Sequence, residues 1–224
     1  MPDAKRLFDI AVAAAGLVTT APVMAVLSVA IRLESPGPAI FRQVRVGKGQ
    51  TSIETLKLRT MIFSAVGPTV TASDDPRVTR IGRILRRTKL DELPQLWNVL
   101  RGEMSIVGPR PEVARYTATY GSEFRDLLEV RPGLTDLASI AFRDEERLLA
   151  SAHDRERAYK EVIMPLKLGI ALRGVRRISL TEDLRVIVRT IRAVLGHRSD
   201  EDELVIREAT RRIEILNDNG AGAS

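Results

Sequence analysis

The sequence predicts an α+β chain, mainly helical, with a membrane-associated N-terminus. Three observations predict it. Between Asp9 and Arg32 lie 22 residues without a charge. Two short segments that alternate apolar and polar residues flank Gly47–Gln50 and read as one β-hairpin. From about residue 75 onward, apolar residues recur at helical spacing with arginines between them. The expected order is a proline-broken re-entrant membrane helix over 1–33, a folded body with amphipathic interfacial helices over 34–200, and a charged helix and tail over 201–224.

The totals narrow the chemistry. An apolar content of 44% in 224 residues is enough for a core. Aromatics at 4% argue against a base-stacking surface for single-stranded nucleic acid. The net charge of +6 calls for an anionic partner: nucleic acid, anionic lipid or a phosphorylated substrate. With no cysteine, disulfides, thiolate metal sites and cysteine nucleophiles are excluded. His153 and His197 are the only histidines, too few for a multi-histidine metal site. The lone Trp97 is expected in the core.

The uncharged run would form a straight helix of roughly 33 Å at 1.5 Å per residue, close to the bilayer's hydrocarbon thickness. It is too long for a signal peptide and is followed directly by basic sequence. Pro22 sits in mid-run and removes a backbone donor, with Thr19 and Thr20 placed to satisfy freed carbonyls. Lys5 and Arg6 precede the run; Arg32, Arg42, Arg45 and Lys48 follow it. The positive-inside rule then favours a broken helix that enters and leaves by one face. A kinked spanning helix is the alternative.

Ser35-Pro36-Gly37-Pro38 is a rigid exit. Ala39–Val46 and Ile53–Leu58 are the expected hairpin strands, with Lys57 and Arg59 at the end of the second. The Gly-x-Gly between them is a turn. Residues 62–74 read as a loop containing Gly67-Pro68. Asp75-Pro76 reads as a helix start. From Arg77 to Arg101 there are seven basic residues against two acids. Such a helix suits anionic lipid headgroups or DNA, or is a plain solvated face.

The two acids are Asp91 and Glu92. Pro94 is tolerated only in a first helical turn, so a helix starting near Asp91 or Glu92 is expected to run through Leu96, Trp97, Val99 and Leu100. Two carboxylates at a helix start serve most simply as caps. The helix dipole and the neighbouring arginines would keep Asp91 ionised. An ionised carboxylate is a poor general acid, but it can attack phosphorus or bind a hard cation. Ser105–Val107 is short and apolar. Gly108-Pro109-Arg110-Pro111 then fixes the backbone and aims one guanidinium, a side chain suited to bidentate phosphate binding.

Residues 112–130 read as an amphipathic helix, 130–135 as a turn with Arg131 beside Pro132, and Ala138–Phe142 as a short strand. Residues 143–161 are charged and helical. Two amphipathic helices follow over 163–195, suited equally to a membrane interface and to the chain's own core. Residues 198–213 read as a solvent-exposed helix, and 217–224 as a frayed tail. There is no internal repeat, no separate second domain, no Walker-type phosphate loop and no Gly-x-Ser-x-Gly.

Taken in order, these pieces resemble the bacterial sugar transferase family, the monotopic phosphoglycosyl transferases. The likeness runs from Lys5 to about Leu195. It includes Lys5-Arg6-Leu7-Phe8-Asp9, the apolar run with its proline, Ser35-Pro36-Gly37-Pro38 and Leu56-Lys57-Leu58-Arg59-Thr60-Met61. Its strongest part runs from Leu90-Asp91-Glu92-Leu93-Pro94-Gln95-Leu96-Trp97-Asn98 to Gly108-Pro109-Arg110-Pro111, with Val130-Arg131-Pro132-Gly133-Leu134-Thr135 at the expected place. The resemblance implies a minimal catalytic form, monotopic on the cytoplasmic face of the bacterial inner membrane and embedded among lipids. It would move a sugar 1-phosphate from a UDP-sugar to polyprenyl phosphate, usually undecaprenyl phosphate, with release of UMP. On matching positions, Asp91 would be the nucleophile and Glu92 the Mg²⁺ ligand, with Mn²⁺ as an alternative ion. Arg86 and Arg110 would hold phosphate, with Lys57, Arg59 and Arg131 as further contacts. Asp183 matches an acidic position near the site. Nucleic acid is not an expected partner, and a homodimer is left open.

The chain departs from the family where many members follow the Pro-Gly-Leu-Thr turn with Gly-Trp-Gln. Here Asp136-Leu137-Ala138-Ser139-Ile140 stands, then Ala141-Phe142-Arg143-Asp144-Glu145, with Arg143 expected to keep an arginine of the family. The change bears on sugar or nucleotide recognition. Two other readings are a non-catalytic module binding anionic lipid or nucleic acid, and a transferase passing sugar without phosphate. The first makes no use of Asp91-Glu92 beside Gly108-Pro109-Arg110-Pro111.

Overall fold

Helix α1 (Pro2–Glu34) takes up the whole apolar run, and both of its ends are bound to one folded body. A computed structural model of the chain describes residues 2–67, 70–119 and 124–221. At the start of α1, Arg6 donates to the carbonyls of Val99 and Leu100. Asp9, 1% exposed, accepts from Ser105 Oγ at 2.9 Å and from the Ile106 amide at 3.0 Å. At its end, Arg59 donates to the carbonyls of Ile31, Ser35 and Pro36. Glu34 accepts from the Arg80 and Ile81 amides. Between these clamps Val18, Val26 and Val29 are exposed. By length and hydropathy α1 is able to cross a membrane.

The expected break at Pro22 is not an interruption of the helix, which continues through it. Thr19 and Thr20 do not reach the freed carbonyl, that of Val18. Their hydroxyls bond three or four residues back, to Ala15 and Gly16, as helical threonines do.

Strands β1 (Ile40–Val46) and β2 (Ser52–Leu58) form the expected antiparallel hairpin, paired from Ile40↔Leu58 to Val46↔Ser52. Helix α2 (Arg80–Thr88) starts later than expected. Thr79 is its cap, accepting from the Gly82 amide at 2.9 Å, because Asp75 is turned back onto Arg77. A 3-10 turn (Leu90–Glu92) leads into α3 (Gln95–Arg101). The turn is tight because Pro94 has no amide to donate to the Leu90 carbonyl, which accepts from Leu93 instead.

Strand β3 (Ser105–Val107) pairs in parallel with β4 (Gly133–Thr135), where the sequence suggested only a turn. A Cβ on Gly133 would lie 2.1 Å from the Gly108 nitrogen, so this crossing requires glycine. Between the strands, the segment read as one helix is α4 (Ala114–Thr119) and α5 (Arg125–Leu128), with residues 120–123 outside the described ones. Pro68 of the expected 62–74 loop is also outside them.

The expected strand at 138–142 is a helix, α6 (Leu137–Ala141). Asp136 explains this by capping it: its carboxylate accepts from the Ser139 amide at 2.7 Å. Helices α7 (Glu145–Ala150), α8 (Arg155–Ala158), a π-turn (Tyr159–Ile163) and α9 (Met164–Val175) follow. Then come α10 (Leu180–Val194) and α11 (Asp200–Ala221). Helix α9 faces the core with Met164, Leu168 and Ile170, whereas α10 leaves Leu184, Val188 and Ile191 exposed. Helix α11 is not a free-standing solvated helix, since Ala209 and Ile213 are buried in the main core. It also runs on where a frayed tail was expected, and only 222–224 of that tail lie outside the described residues. Trp97, expected inside, is 51% exposed.

Candidate active site

Lys89 is where the site begins. It adopts a left-handed conformation (φ 59°, ψ 16°) that ends α2 and turns the chain sharply into Leu90–Glu92. A non-glycine residue holds such a conformation only where its surroundings impose it. The turn buries both carboxylates, leaving Asp91 6% and Glu92 9% exposed. Asn98, one turn into α3, fastens that helix to β2. Its Oδ1 accepts from the Leu56 amide at 3.1 Å, and its Nδ2 donates to the Glu54 carbonyl at 2.7 Å. This docking brings Lys57 against Glu92.

The two acids then differ sharply. Lys57 Nζ donates to Glu92 Oε1 at 3.0 Å. Arg110 donates to both Glu92 oxygens, through Nη1 to Oε2 at 3.2 Å and through Nη2 to Oε1. Burial alone would raise the Glu92 carboxyl, but Arg110 and Lys57 together hold it well below the usual range. Asp91 has no such partner. Among the described residues no hydrogen bond reaches it, and its buried Oδ1 is unsatisfied. Burial raises its pKa, opposed by the charge of Lys57. The support that arginines and a helix dipole were expected to give the Asp91 charge is weaker than burial, which outweighs it. A three-residue turn has little dipole, Arg110 is engaged by Glu92, and Arg86 is engaged elsewhere. Burial lowers the Lys57 ammonium, and Glu92 only partly restores it.

The other candidate residues are distributed around this pair. Arg86 donates to Thr60 Oγ1 at 2.9 Å and to Glu146 at 2.7 Å, and reaches neither acid by hydrogen bond. Arg59, 3% exposed, donates to the carbonyls that end α1 and hydrogen-bonds neither acid. Asp183 pairs with Lys5 at 2.5 Å, and Lys5 also donates to the Val107 carbonyl. Burial raises the Asp183 carboxyl, against the Lys5 charge. This pair therefore seats the start of α1 and does not touch Asp91. The Arg143 guanidinium donates to the Val194 carbonyl at 3.4 Å. Arg131 donates to the Gly102 carbonyl at 2.9 Å and lines an open cleft of about 580 Å³ with Lys48 and Arg101. Ser52 of that cleft and Lys57 are five positions apart on β2, roughly 17 Å at 3.3 Å per residue. The cleft is thus separate from the carboxylates.

Sequence reasoning missed a second charged layer behind Arg110, formed by Arg45, Glu112, Glu145 and Lys167. Lys167 left a visible signal. It is the one charge in an otherwise apolar run, Ile163 to Leu172, and such a lysine needs a buried partner. Arg45 left none, since it alternates like any exposed strand residue.

A family model described as bacterial sugar transferase matches residues 2–197. The chain belongs to the bacterial sugar transferase family. A Caulobacter vibrioides relative, named UDP-glucose:undecaprenyl-phosphate glucose-1-phosphate transferase, is 40% identical over 85% of this chain and 69% of its own. An Aeromonas hydrophila relative, named UDP-N-acetylgalactosamine-undecaprenyl-phosphate N-acetylgalactosaminephosphotransferase, is 34% identical over 85% of this chain and 43% of its own. The exopolysaccharide production protein PSS of Rhizobium leguminosarum is 37% identical over 84% of this chain and 92% of its own. Against the family match, the unsatisfied Asp91 beside a clamped Glu92 lies well inside the shared region.

Proposed function

We propose that this chain transfers a sugar 1-phosphate from a UDP-sugar to polyprenyl phosphate, with Asp91 as the nucleophile. The observation that carries the reading is the contrast within the pair. Glu92 is held as an anion by two cations, while Asp91 is buried with an unsatisfied oxygen. Such an arrangement is unfavourable for a mere cap and suited to a group that acquires its partner from substrate. An Asp91 oxygen attacks the sugar-bearing phosphorus. The bond from that phosphorus to the bridging oxygen breaks, and UMP leaves with the electron pair. A phosphate oxygen of the polyprenyl phosphate then attacks the same phosphorus, which frees Asp91 and forms the polyprenyl-diphosphate sugar. Arg110 and Lys57, the cations beside the pair, would meet charge developing on the phosphate oxygens.

A hard divalent cation fits the donor set. A carboxylate accepts about four hydrogen bonds, and Glu92 accepts three, so a position remains on Oε2. Among the described residues no group of three or more acidic or histidine side chains is assembled, so the other ligands would be diphosphate oxygens and water. Bound there, Mg²⁺ would offset the charge of the diphosphate and the departing UMP.

Two clamps support a placement in which both ends of α1 lie on the same, cytoplasmic, face of the membrane. Arg6 and Asp9 at one end, and Arg59 and Glu34 at the other, grip the same body. Cysteines engineered at both ends are expected to react from one side only; labelling from opposite faces would refute this placement. The reaction itself is tested by a screen of UDP-sugars with polyprenyl phosphate and Mg²⁺. UMP is the expected nucleotide product, and UDP would overturn the reading.

A further inference from the structure

Glu145 and Glu146 are adjacent in the first turn of α7, and their side chains part in two directions. Glu146 Oε1 accepts from Arg86 Nη1 at 2.7 Å, and Glu145 Oε2 accepts from Lys167 Nζ at 2.8 Å. Lys167 is 9% exposed and also lies 3.9 Å from Glu112 Oε1. Glu112, two residues after Arg110, accepts from the Tyr159 hydroxyl at 3.2 Å. On its other side Arg45 approaches Glu112 Oε2 at 3.6 Å and donates to the Pro111 carbonyl at 3.0 Å. The Val46 amide holds the Glu112 carbonyl at 2.8 Å. The arm carrying Arg110 is thus gripped from β1 and from α9, and α7 closes the grip from behind.

We propose that Glu145 and Glu146 are a positioning pair: Glu146 fixes the Arg86 guanidinium on the helix that leads into Asp91, and Glu145, through Lys167 and Glu112, fixes the Arg110 arm. The proposal rests on the phosphoglycosyl transfer reading above. An untethered arginine must lose its rotamer freedom as substrate binds, whereas a tethered one has already lost it. Exposed ion pairs contribute little to folding, and the Glu146 side chain is 39% exposed, so its pairing is better explained by orientation than by stability. Glu112 and Glu145 lie within electrostatic reach of the arm, where both favour the charged form of Arg110.

Two double-mutant cycles test this, each read as kcat and KM for UMP release together with Tm. Glu146→Ala is expected to lower kcat/KM on the order of tenfold. Combined with Arg86→Ala it is expected to do no further harm beyond Arg86→Ala alone. Glu146→Gln keeps an acceptor oxygen and is expected to recover part of the loss at unchanged Tm. Lys167→Met with Arg110→Ala is expected to be non-additive in the same way. Additive losses in both cycles overturn the positioning role, as does a Glu146→Ala loss that merely follows a fall in Tm. Wild-type enzyme that releases no UMP overturns the reaction and the pair together; wild-type release with additive cycles overturns the pair alone.

Discussion

Asp91 lies in a setting that works against its charge. Burial favours its neutral form, and nothing among the described residues hydrogen-bonds it. Asp91→Asn therefore has a two-part expected outcome. UMP release is lost, while Tm stays at or above the wild-type value, because a neutral amide no longer carries an anion's desolvation. A cap or structural ion pair would give the reverse, a lower Tm with activity kept. The pH dependence follows the same sign. Attack needs ionised Asp91, and its pKa is raised, so UMP release is expected to fall off in acid at a pH above the ordinary aspartate value of about 4. Stability behaves in the opposite sense for this group. A raised folded pKa contributes stability below the unfolded pKa, and that contribution is lost as pH rises through the folded one. Glu92, depressed by Arg110 and Lys57, contributes above its unfolded pKa and loses this as pH falls through its folded value. Thermal melts of wild type and Asp91→Asn across pH separate the two.

At the scale of elements, the arm from Gly108 to Pro111 depends on the crossing of β3 and β4. Gly133→Ala is expected to push this arm away from Glu92, because the added methyl would meet the Gly108 nitrogen at 2.1 Å. A fall in kcat of ten- to a hundredfold is expected from such a displacement, in line with the sensitivity of catalysis to errors of about 1 Å. Initial-rate measurements on the folded fraction check it. The hairpin and α3 were legible in the sequence because alternation and proline placement are local signals. The β3–β4 pair was not, because a parallel pairing of two three-residue strands leaves no local pattern. The strand expected at 138–142 failed for a related reason. Ile140 and Phe142 look β-prone, yet the Asp136 cap nucleates a turn of helix that propensity alone does not reveal. Likewise Arg59, an apparent phosphate contact, had its partners set by carbonyls more than twenty residues earlier in the chain.

For the molecule as a whole, α11 is part of the fold. Ile213, 1% exposed, sits in the core that also holds Tyr159, Ile163 and Met164. Ile213→Ala is expected to destabilise the protein by about 2–4 kcal/mol, as cavity-forming core changes do, with a clear drop in Tm. An unchanged Tm would return α11 to the role of appendage. The sequence revealed α11's charges and hid its buried face, since Ala209 and Ile213 are two small cues in a charged helix. In the same way Asp91, Glu92, Lys57 and Arg110 were readable as a group through the family pattern, while Glu112 and Glu145 became visible only once α7 and α9 packed behind the arm.

The grip on the start of α1 has a consequence in time. Arg6 and Asp9 bind partners at Val99–Ile106, and Lys5 binds one at Asp183. These partners leave the ribosome about 65 to 150 residues after the helix is complete, which at about 5–20 residues per second is a delay of a few seconds or more. Throughout that interval the most apolar segment of the chain is complete while its start has no partner. A bilayer would be its safe resting place until the body folds, so insertion is expected to precede folding, with the body closing around a helix already in place.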